Sequence, residues 1–242
     1  MLRFLKQSSS SFPEPKVFSS KKAGGLKNLI FWISAISISC ETFRCEIGDA
    51  EMADPWERRK SAFLERIKRD REIGYLDPGI EETLDLINSR EKSYTTSSCS
   101  GRISAVDSEF PWKRDDEHPI FKKHAPITEE ELEDFLKVEP KDIIWLIVSG
   151  PILHICCRDI EEAREMLRVA RQAGFKHSGI MSISEDCFMV ELISGTQLFL
   201  PLKSRTKLFI EAGSMNDILF LVNESLSEGR NRLKRLNEAL RA

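Results

Sequence analysis

The sequence lacks the two common nucleotide-binding fingerprints. It contains no G-x-G-x-x-G, and the hydroxyl-rich stretch "YTTSSCSGRIS" (residues 94–104) follows its glycine with Arg102 and Ile103, where a Walker-type loop needs a lysine. An enzyme built around either loop is therefore excluded.

A long apolar run and a strong positive charge are also missing. The uncharged stretch "NLIFWISAISISC" (residues 28–40) has thirteen residues, fewer than the roughly 20 that span a bilayer, so we expect no membrane partner. The formal net charge of -3 gives no overall attraction to nucleic acid. Apolar residues make up 41% of the chain and charged residues 31%, as in globular proteins.

The cysteines have no metal-binding spacing. The chain contains no CxxC and no His/Cys pattern of a zinc site, and Cys156 and Cys157 are adjacent in an apolar, strand-like run. We therefore expect no metal and interpret all six as reduced thiols of a cytoplasmic protein: Cys40, Cys45, Cys99, Cys156, Cys157 and Cys187.

The chain divides near residue 51. Residues 1–51 begin with a Ser/Pro/Gly-rich stretch, and we expect a disordered leader, upstream or targeting sequence outside the fold. Met52 opens "MADPWERRK", which is typical of the start of a domain. We predict a single domain over residues 52–242.

Capping residues and glycines predict five helices. Asp54-Pro55 begins the first, which ends at Gly74, and Asp77-Pro78 begins the second. Three more helices are predicted: a short one from the capping box Thr128/Glu131 to about Val138, one from Asp159/Glu162 to Gly174, and one over about 216–241.

The remaining segments predict strands and one loop. "RISAVDS" is typical of a strand, residues 109–126 of an exposed loop, and "DIIWLIVSGPILHICC" of two strands or a bent one. Three more strands follow in "SGIMSISEDCFMVELISGTQLFLPL". The fold class is therefore α+β, with a mixed, largely antiparallel sheet and flanking helices.

Basic residues concentrate in the first and last predicted helices. If these helices pack side by side, they form one positive surface suited to a phosphate backbone. The residues concerned are Arg58, Arg59, Lys60, Arg66, Lys68, Arg69 and Arg71 in the first helix, and Arg230, Arg232, Lys234, Arg235 and Arg241 in the last.

"TTSSCSGR" is the stretch whose composition favours binding. Short hydroxyl residues and a glycine allow the backbone to turn and present N–H groups, and Arg102 adds a planar charged fork suited to a carboxylate or phosphate. A polar strand end or turn explains the same composition equally well.

Cys99 raises two further possibilities. A phosphate-transfer cysteine needs its arginine six residues on, and Arg102 is only three away, so that chemistry is excluded. A cysteine hydrolase needs a histidine partner, and His124, His154 and His177 leave it open.

Three blocks carry a resemblance to a known family. "YTTSSCSGRIS", "PILHICCRDIEEAREMLRVARQAGFKHSGI" and "MVELISGTQLFLPL", in this order, resemble the tRNA wybutosine-synthesising protein 3 family. The resemblance implies an S-adenosylmethionine-dependent methyltransferase without the Rossmann fold and without a metal. It also implies N-methylation of a wybutosine precursor at the guanosine next to the anticodon of tRNA-Phe.

The resemblance also implies site residues. Carried over as cofactor-binding are Ser97, Ser98, Cys99, Gly101, Arg102, Pro151, Ser178, Gly179 and Pro201; carried over as catalytic are His124, His154 and Ser98. The tryptophan that family members usually place shortly before His124 is absent from "IFKKHAPI".

These positions suggest a division of labour. We expect residues 97–102 to hold the donor's carboxylate or a substrate phosphate, one histidine to take a proton, and Cys99 to pack or orient. A tRNA-binding protein without catalysis and a cysteine-dependent hydrolase are the alternatives.

Overall fold

The described part of the chain, residues 54–113 and 118–242 of a computed structural model, contains five α-helices and eight strands. The leader expected over residues 1–51 lies outside the described residues. No helix of the described part is long and apolar enough to span a membrane.

The helices are α1 (Pro55–Glu72), α2 (Glu81–Asn88), α3 (Glu129–Lys137), α4 (Ile160–Gln172) and α5 (Met215–Arg241). The strands are β1 (Ser93–Cys99), β2 (Arg102–Ser108), β3 (His118–Lys123), β4 (Ile143–Ser149), β5 (Ile152–Cys157), β6 (Gly179–Ser184), β7 (Cys187–Ile193) and β8 (Gln197–Ser204).

The strands form two four-stranded antiparallel sheets. The first, sheet A, has the order β1-β5-β7-β6, and the second, sheet B, has the order β3-β2-β4-β8. This confirms the predicted α+β class with antiparallel pairing. The division into two sheets was not predicted.

Three pairs of consecutive strands cross from one sheet to the other at the same level. β1 continues into β2 through Ser100-Gly101, β4 into β5 through Gly150-Pro151, and β7 into β8 through residues 194–196. Backbone hydrogen bonds link the last two connections: Gly150 N donates to Thr196 O at 2.7 Å, and Ser194 N donates to Pro151 O at 3.1 Å. We call this level the bend, because a three-stranded ribbon changes direction there.

Helix α5 lies across the bend and closes both cores. Its first half contributes Val222 and Leu226 to the core under sheet B, and its second half contributes Leu233 and Leu236 to the core under sheet A. Gly229 lies between the two halves, where an added Cβ would stand 2.9 Å from Pro151 Cδ and 3.3 Å from Gly150 Cα. Only glycine lets the helix approach the turn this closely.

The predicted helix starts are confirmed in part. Asp54 caps α1 by accepting from Trp56 N at 3.0 Å, and Thr128 and Glu131 form the expected capping box of α3. The expected start at Asp77-Pro78 is wrong, because α2 begins only at Glu81. The Asp77 carboxylate instead accepts from Ser100 N at 2.9 Å and so supports the turn after β1.

Two other expectations are wrong. The predicted loop over residues 109–126 contains β3, which pairs with β2 from Ile103↔Lys123 to Asp107↔His118. Cys156 and Cys187 are bonded as a disulfide between β5 and β7, whereas we expected reduced thiols. Register explains the pair: Cys156 lies opposite Met189, two residues after Cys187, so Cys156 and Cys187 are diagonal neighbours on one face of the sheet.

The other described cysteines, Cys99 and Cys157, are free thiols as expected. Burial raises the pKa of Cys157 to about 12, which leaves it an unreactive thiol of the core. Cys40 and Cys45 lie outside the described residues.

The two basic helices contact opposite faces of sheet A. Trp56 of α1 packs on Tyr94 and Cys156, whereas Leu233 of α5 packs in the core that contains Leu153. The continuous positive surface that side-by-side packing would produce is therefore not formed along this part of the sheet.

Replacing Gly229 by alanine tests the close approach at the bend. Alanine gains about 1 kcal/mol of helix propensity, but the clash with the Pro151 ring and the Gly150 backbone costs about 1–3 kcal/mol. We expect Gly229→Ala to lower the free energy of unfolding by about 1 kcal/mol in chemical denaturation. Gly213→Ala is the control, since a Cβ there meets nothing within 4 Å; an equal change in both variants would contradict the packing.

Candidate active site

The hydroxyl-rich motif straddles the bend. Ser97 to Cys99 end β1, Ser100 and Gly101 form the turn, and Arg102 begins β2 opposite Ser149. Gly101 has φ 98°, and an added Cβ would lie 3.1 Å from Ser149 O. The motif therefore needs glycine here both for its backbone conformation and for the close passage of β4.

A β-bulge in β1 decides which hydroxyls face which side. The register shifts between Thr95, which lies opposite Ile155, and Ser97, which lies opposite His154. Without the extra residue, side-chain alternation would place Ser97 on the core face with Ile155. The bulge turns Ser97 to the face of His154.

Ser97, His154 and Glu191 form a row across three neighbouring strands. Ser97 Oγ lies 2.6 Å from His154 Nδ1, and His154 Nε2 lies 3.0 Å from Glu191 Oε1. A carboxylate only accepts, so Nε2 carries a proton and donates to Glu191, and Nδ1 accepts from the Ser97 hydroxyl. Gly179 on β6 continues the row, pairing with Glu191.

The row is open to solvent at the serine. Ser97 is exposed, whereas the His154 side chain is only 24% exposed and that of Glu191 32%. A proton taken up by the Ser97 oxygen from a bound molecule can be matched by transfer of the serine proton to His154. The resulting imidazolium is stabilised by Glu191.

A second histidine stands at the turn. His124 Nδ1 lies 3.0 Å from Gly101 O, 3.2 Å from Asp77 Oδ2 and 3.9 Å from Cys99 Sγ. The carbonyl and the carboxylate both accept, so Nδ1 carries a proton and directs it at them. Arg230 of α5 donates to the backbone oxygen of the same histidine, which ties residue 124 to the helix that crosses the bend.

The surroundings of Cys99 favour its protonated thiol form. Burial raises its pKa above the ordinary value, and this outweighs the backbone hydrogen bond with Gly101 and the charge of Arg102, which lower it. A cysteine nucleophile needs the opposite shift. The Cys99–His124 contact therefore does not provide the activated thiolate of a hydrolase.

Asp77, Cys99 and His124 also bring three possible metal-ligand atoms within 4.8 Å of one another. The nitrogen concerned is Nδ1, which carries its proton toward Gly101 O, and Cys99 is a protonated thiol. A metal would have to displace both protons. The prediction that the protein uses no metal remains a prediction.

Buried polar atoms without a partner mark the bend as a place for a polar ligand. In the described part of the chain, Ser100 Oγ, Thr196 Oγ1 and Arg230 Nε are inaccessible to solvent and have no hydrogen-bond partner. The first two lie in turns of the bend, and Arg230 follows Gly229. Such atoms are costly unless something hydrogen-bonds to them, so those at the bend are compatible with binding of a polar ligand; three further atoms of this kind in the described residues lie on α1, in Trp56 and Arg59.

The other carried-over positions lie in different parts of the fold. Ser98 lies opposite buried Leu153 and so shares the core-side face, away from Ser97. Pro151 forms the bend, and Ser178 Oγ accepts from Ile193 N at 3.1 Å. Pro201 lies opposite Trp145 in sheet B, four residues and about 13 Å along β8 from Gln197, which stands in the row of Arg102.

Sequence reasoning missed Glu191 and Asp77, which hold the two histidines. Glu191 occupies an ordinary strand position in "MVELIS", and only the register β5–β7 places it opposite His154. Asp77 was interpreted as a helix cap. The signal that could have identified Glu191 is its polar character between Val190 and Leu192, both fully buried.

The family model described as "Methyltransferase TYW3" matches residues 58–242. The chain belongs to this methyltransferase family. A TYW3 relative from Saccharolobus solfataricus, named tRNA(Phe) 7-((3-amino-3-carboxypropyl)-4-demethylwyosine(37)-N(4))-methyltransferase, is 40% identical over 186 residues, covering 76% of this chain and 89% of the relative. A relative of the same name from Aeropyrum pernix is 36% identical, covering 69% and 88%.

Solved structures agree with the TYW3 assignment. A protein from Pyrococcus horikoshii is similar with a TM-score of 0.71 and 30% identity over 76% of this chain and 95% of that one. A protein from Aeropyrum pernix is similar with a TM-score of 0.62 and 33% identity over 68% and 98%. The expected family and the absence of a Rossmann arrangement are confirmed.

Alkylation measures the state of Cys99. Because burial raises its pKa, we expect iodoacetamide at pH 7.5 to modify Cys99 at least about tenfold more slowly than free glutathione, with the rate rising above pH 9 as the thiol ionises. Site-resolved mass spectrometry of the full chain gives the rate. Modification faster than glutathione would restore the hydrolase alternative.

Proposed function

We propose that this protein methylates tRNA(Phe) at N4 of 7-(3-amino-3-carboxypropyl)-4-demethylwyosine, the base at position 37, with S-adenosylmethionine as donor. The support is the relatives that carry this name, which match along most of their length. The geometry adds a proton-accepting row beside a polar, under-satisfied turn. Because the substrate is a tRNA, the proposal includes a cytoplasmic location, and it needs no metal.

The bend offers suitable groups for the donor. S-adenosylmethionine supplies an electrophilic methyl group on a sulfonium, together with a carboxylate and hydroxyl groups that require hydrogen-bond partners. Ser100 Oγ and Thr196 Oγ1 would donate to such oxygens and Arg230 Nε to a carboxylate if the bend opens on binding, because all three atoms are closed to solvent here. Arg102, at the start of β2, would supply charge to a carboxylate or to a substrate phosphate.

Proton removal falls to the Ser97–His154–Glu191 row. A ring N–H that becomes N-methylated loses its proton, and a base within hydrogen-bond reach promotes that loss. Ser97 is the exposed end of the row, His154 the acceptor, and Glu191 the group that fixes the tautomer of His154. Catalysis otherwise requires alignment of the nucleophile with the methyl group, which a rigid sheet provides.

His124 has a different role in this proposal. Its Nδ1–H is directed at Gly101 O and Asp77, so it holds the turn that carries Ser100 and Arg102. Cys99 packs against it as a thiol. His124 and Asp77 are therefore positioning residues for the motif, while Ser97 and His154 are the catalytic ones.

Calorimetric titration of S-adenosylmethionine tests the donor site. We expect saturable binding by the full chain and an affinity at least about tenfold lower for Arg102→Ala, which corresponds to loss of a charge-assisted hydrogen bond. Arg164→Ala, on the exposed side of α4, is the matched control and should bind as the wild type does. Equal binding by both variants would remove Arg102 from the site.

Absence of donor binding by a folded wild-type chain would call for the same titration with precursor tRNA present. If binding still failed while tRNA bound, the protein would be a tRNA-binding partner without catalysis.

Single-turnover methyl transfer distinguishes the two histidines. We expect His154→Ala to lower the rate by roughly 10²-fold or more with donor affinity unchanged, and the loss to shrink at higher pH as solvent takes over the proton. Glu191→Gln should lower the rate by about tenfold, because the His154 imidazolium then loses its counter-charge. His124→Ala should instead weaken donor binding, and the reverse pattern would exchange the two roles.

A further inference from the structure

A basic pocket lies beside the bend, outside the site described above. It has a volume of about 420 Å³ and is bounded by the loop after α4, the β7–β8 turn and one face of α5. Its residues are Gly174, Lys176, His177, Ser194, Gly195, Arg232 and Arg235. We call this the basic pocket.

The charge of the basic pocket is positive. Arg232 Nε and Arg235 Nη2 share one carboxylate oxygen of Glu228, at 2.9 and 3.0 Å, so two cations stand against one anion. These hydrogen bonds hold the pKa of Glu228 below its ordinary value, which keeps it ionised and the guanidinium groups in place. Lys176, which is exposed, adds a further positive charge.

Backbone features shape the pocket. Gly195 has φ 68°, and an added Cβ would lie 2.8 Å from His177 Cδ2, so only glycine lets the histidine lie against the turn. Arg232 donates to Ser194 O, which fixes the guanidinium to the same turn. Ser178 accepts from Ile193 N and ties the Lys176-His177 loop to the end of β7. These contacts therefore hold the residues of the pocket in place.

The basic pocket stands close to the catalytic row along the same strand. Glu191, the end of the row, is three residues before Ser194, or about 10 Å along β7. The row and α5 lie on opposite faces of sheet A, so a nucleotide bound with its base at Ser97 and His154 reaches the pocket by extending a neighbouring backbone group around the β7–β8 turn. A planar, fixed guanidinium pair with an adjacent lysine suits a tetrahedral oxyanion.

We propose that the basic pocket binds a backbone phosphate of the tRNA substrate next to the nucleotide to be methylated. The inference rests on the proposed function, and it assigns a substrate contact to residues 176, 232 and 235. Because the contact is to phosphate, it contributes affinity and position without reading the base sequence.

Salt-dependent binding of unmodified, transcribed tRNA(Phe) to the full chain tests the assignment. The variant Lys176→Ala/Arg235→Ala removes two exposed cations while leaving Arg232 bonded to Ser194. We expect its affinity to fall roughly tenfold at 150 mM salt and its slope of log affinity against log salt to fall by about one, as for one lost phosphate contact. In methyl transfer the variant should raise KM for tRNA and leave kcat unchanged.

Arg164→Ala/Lys234→Ala is the matched control, because it removes the same charge from exposed positions of α4 and α5 outside the pocket. Equal losses in the two double variants, with wild-type methylation intact, would overturn the pocket assignment and leave the proposed function standing. Pocket-dependent tRNA binding without any methylation would support the pocket assignment and contradict the proposed function. A wild-type chain that neither binds nor methylates tRNA(Phe) would overturn both.

Discussion

The contact between Gly229 of α5 and the Gly150-Pro151 turn is the constraint on which the site depends. With a Cβ only 2.9 Å from the proline ring, no other residue allows the helix to lie this close. The approach brings Arg230 to the backbone of His124 and Arg232 to the backbone of Ser194. One helix thereby braces the loops on two sides of the bend, and the motif, the second histidine and the basic pocket take their positions from it.

The site uses a sheet surface where many enzymes use a deep cleft. Adjacent antiparallel strands place Ser97, His154 and Glu191 opposite one another, so hydrogen bonds can run across the strands from one side chain to the next. The second group, Cys99, His124 and Asp77, stands at the turn, where its hydrogen bonds serve the backbone of residues 100 and 101. In the proposed function, proton transfer belongs to His154 and support of the ligand-binding turn to His124, because their ring nitrogens face different groups.

Local signals predicted most of the helices and strands, and their failures have physical causes. Asp54 and Thr128 cap helices as their patterns indicated, and Asp54 does so with Oδ1 although its Oδ2 accepts from the distant Arg158. Asp77 has the same pattern, but its carboxylate is used by Ser100, which no local rule reveals. β3 was missed because its pairing with β2, and not its own polar composition, makes it a strand.

The candidate site was predictable only as a set of residues. The resemblance selected Ser97, Arg102 and both histidines, yet the partner of each histidine depends on register and on the bulge in β1. A one-residue difference in that strand would turn Ser97 away from His154. For the same reason the basic residues of α1 and α5 could be counted in advance, but not the face of the sheet that each helix covers.

The passage of three strands from one sheet to the other has a consequence for folding. Ser97 and His154 are 57 residues apart, and their pairing requires β4 and β5 to be in place as one ribbon. Chain-closure entropy must be overcome before such distant contacts contribute, so these pairings belong to slow, non-local steps. The row that would accept the proton lies on three strands of sheet A, so separation of β1, β5 or β7 abolishes it.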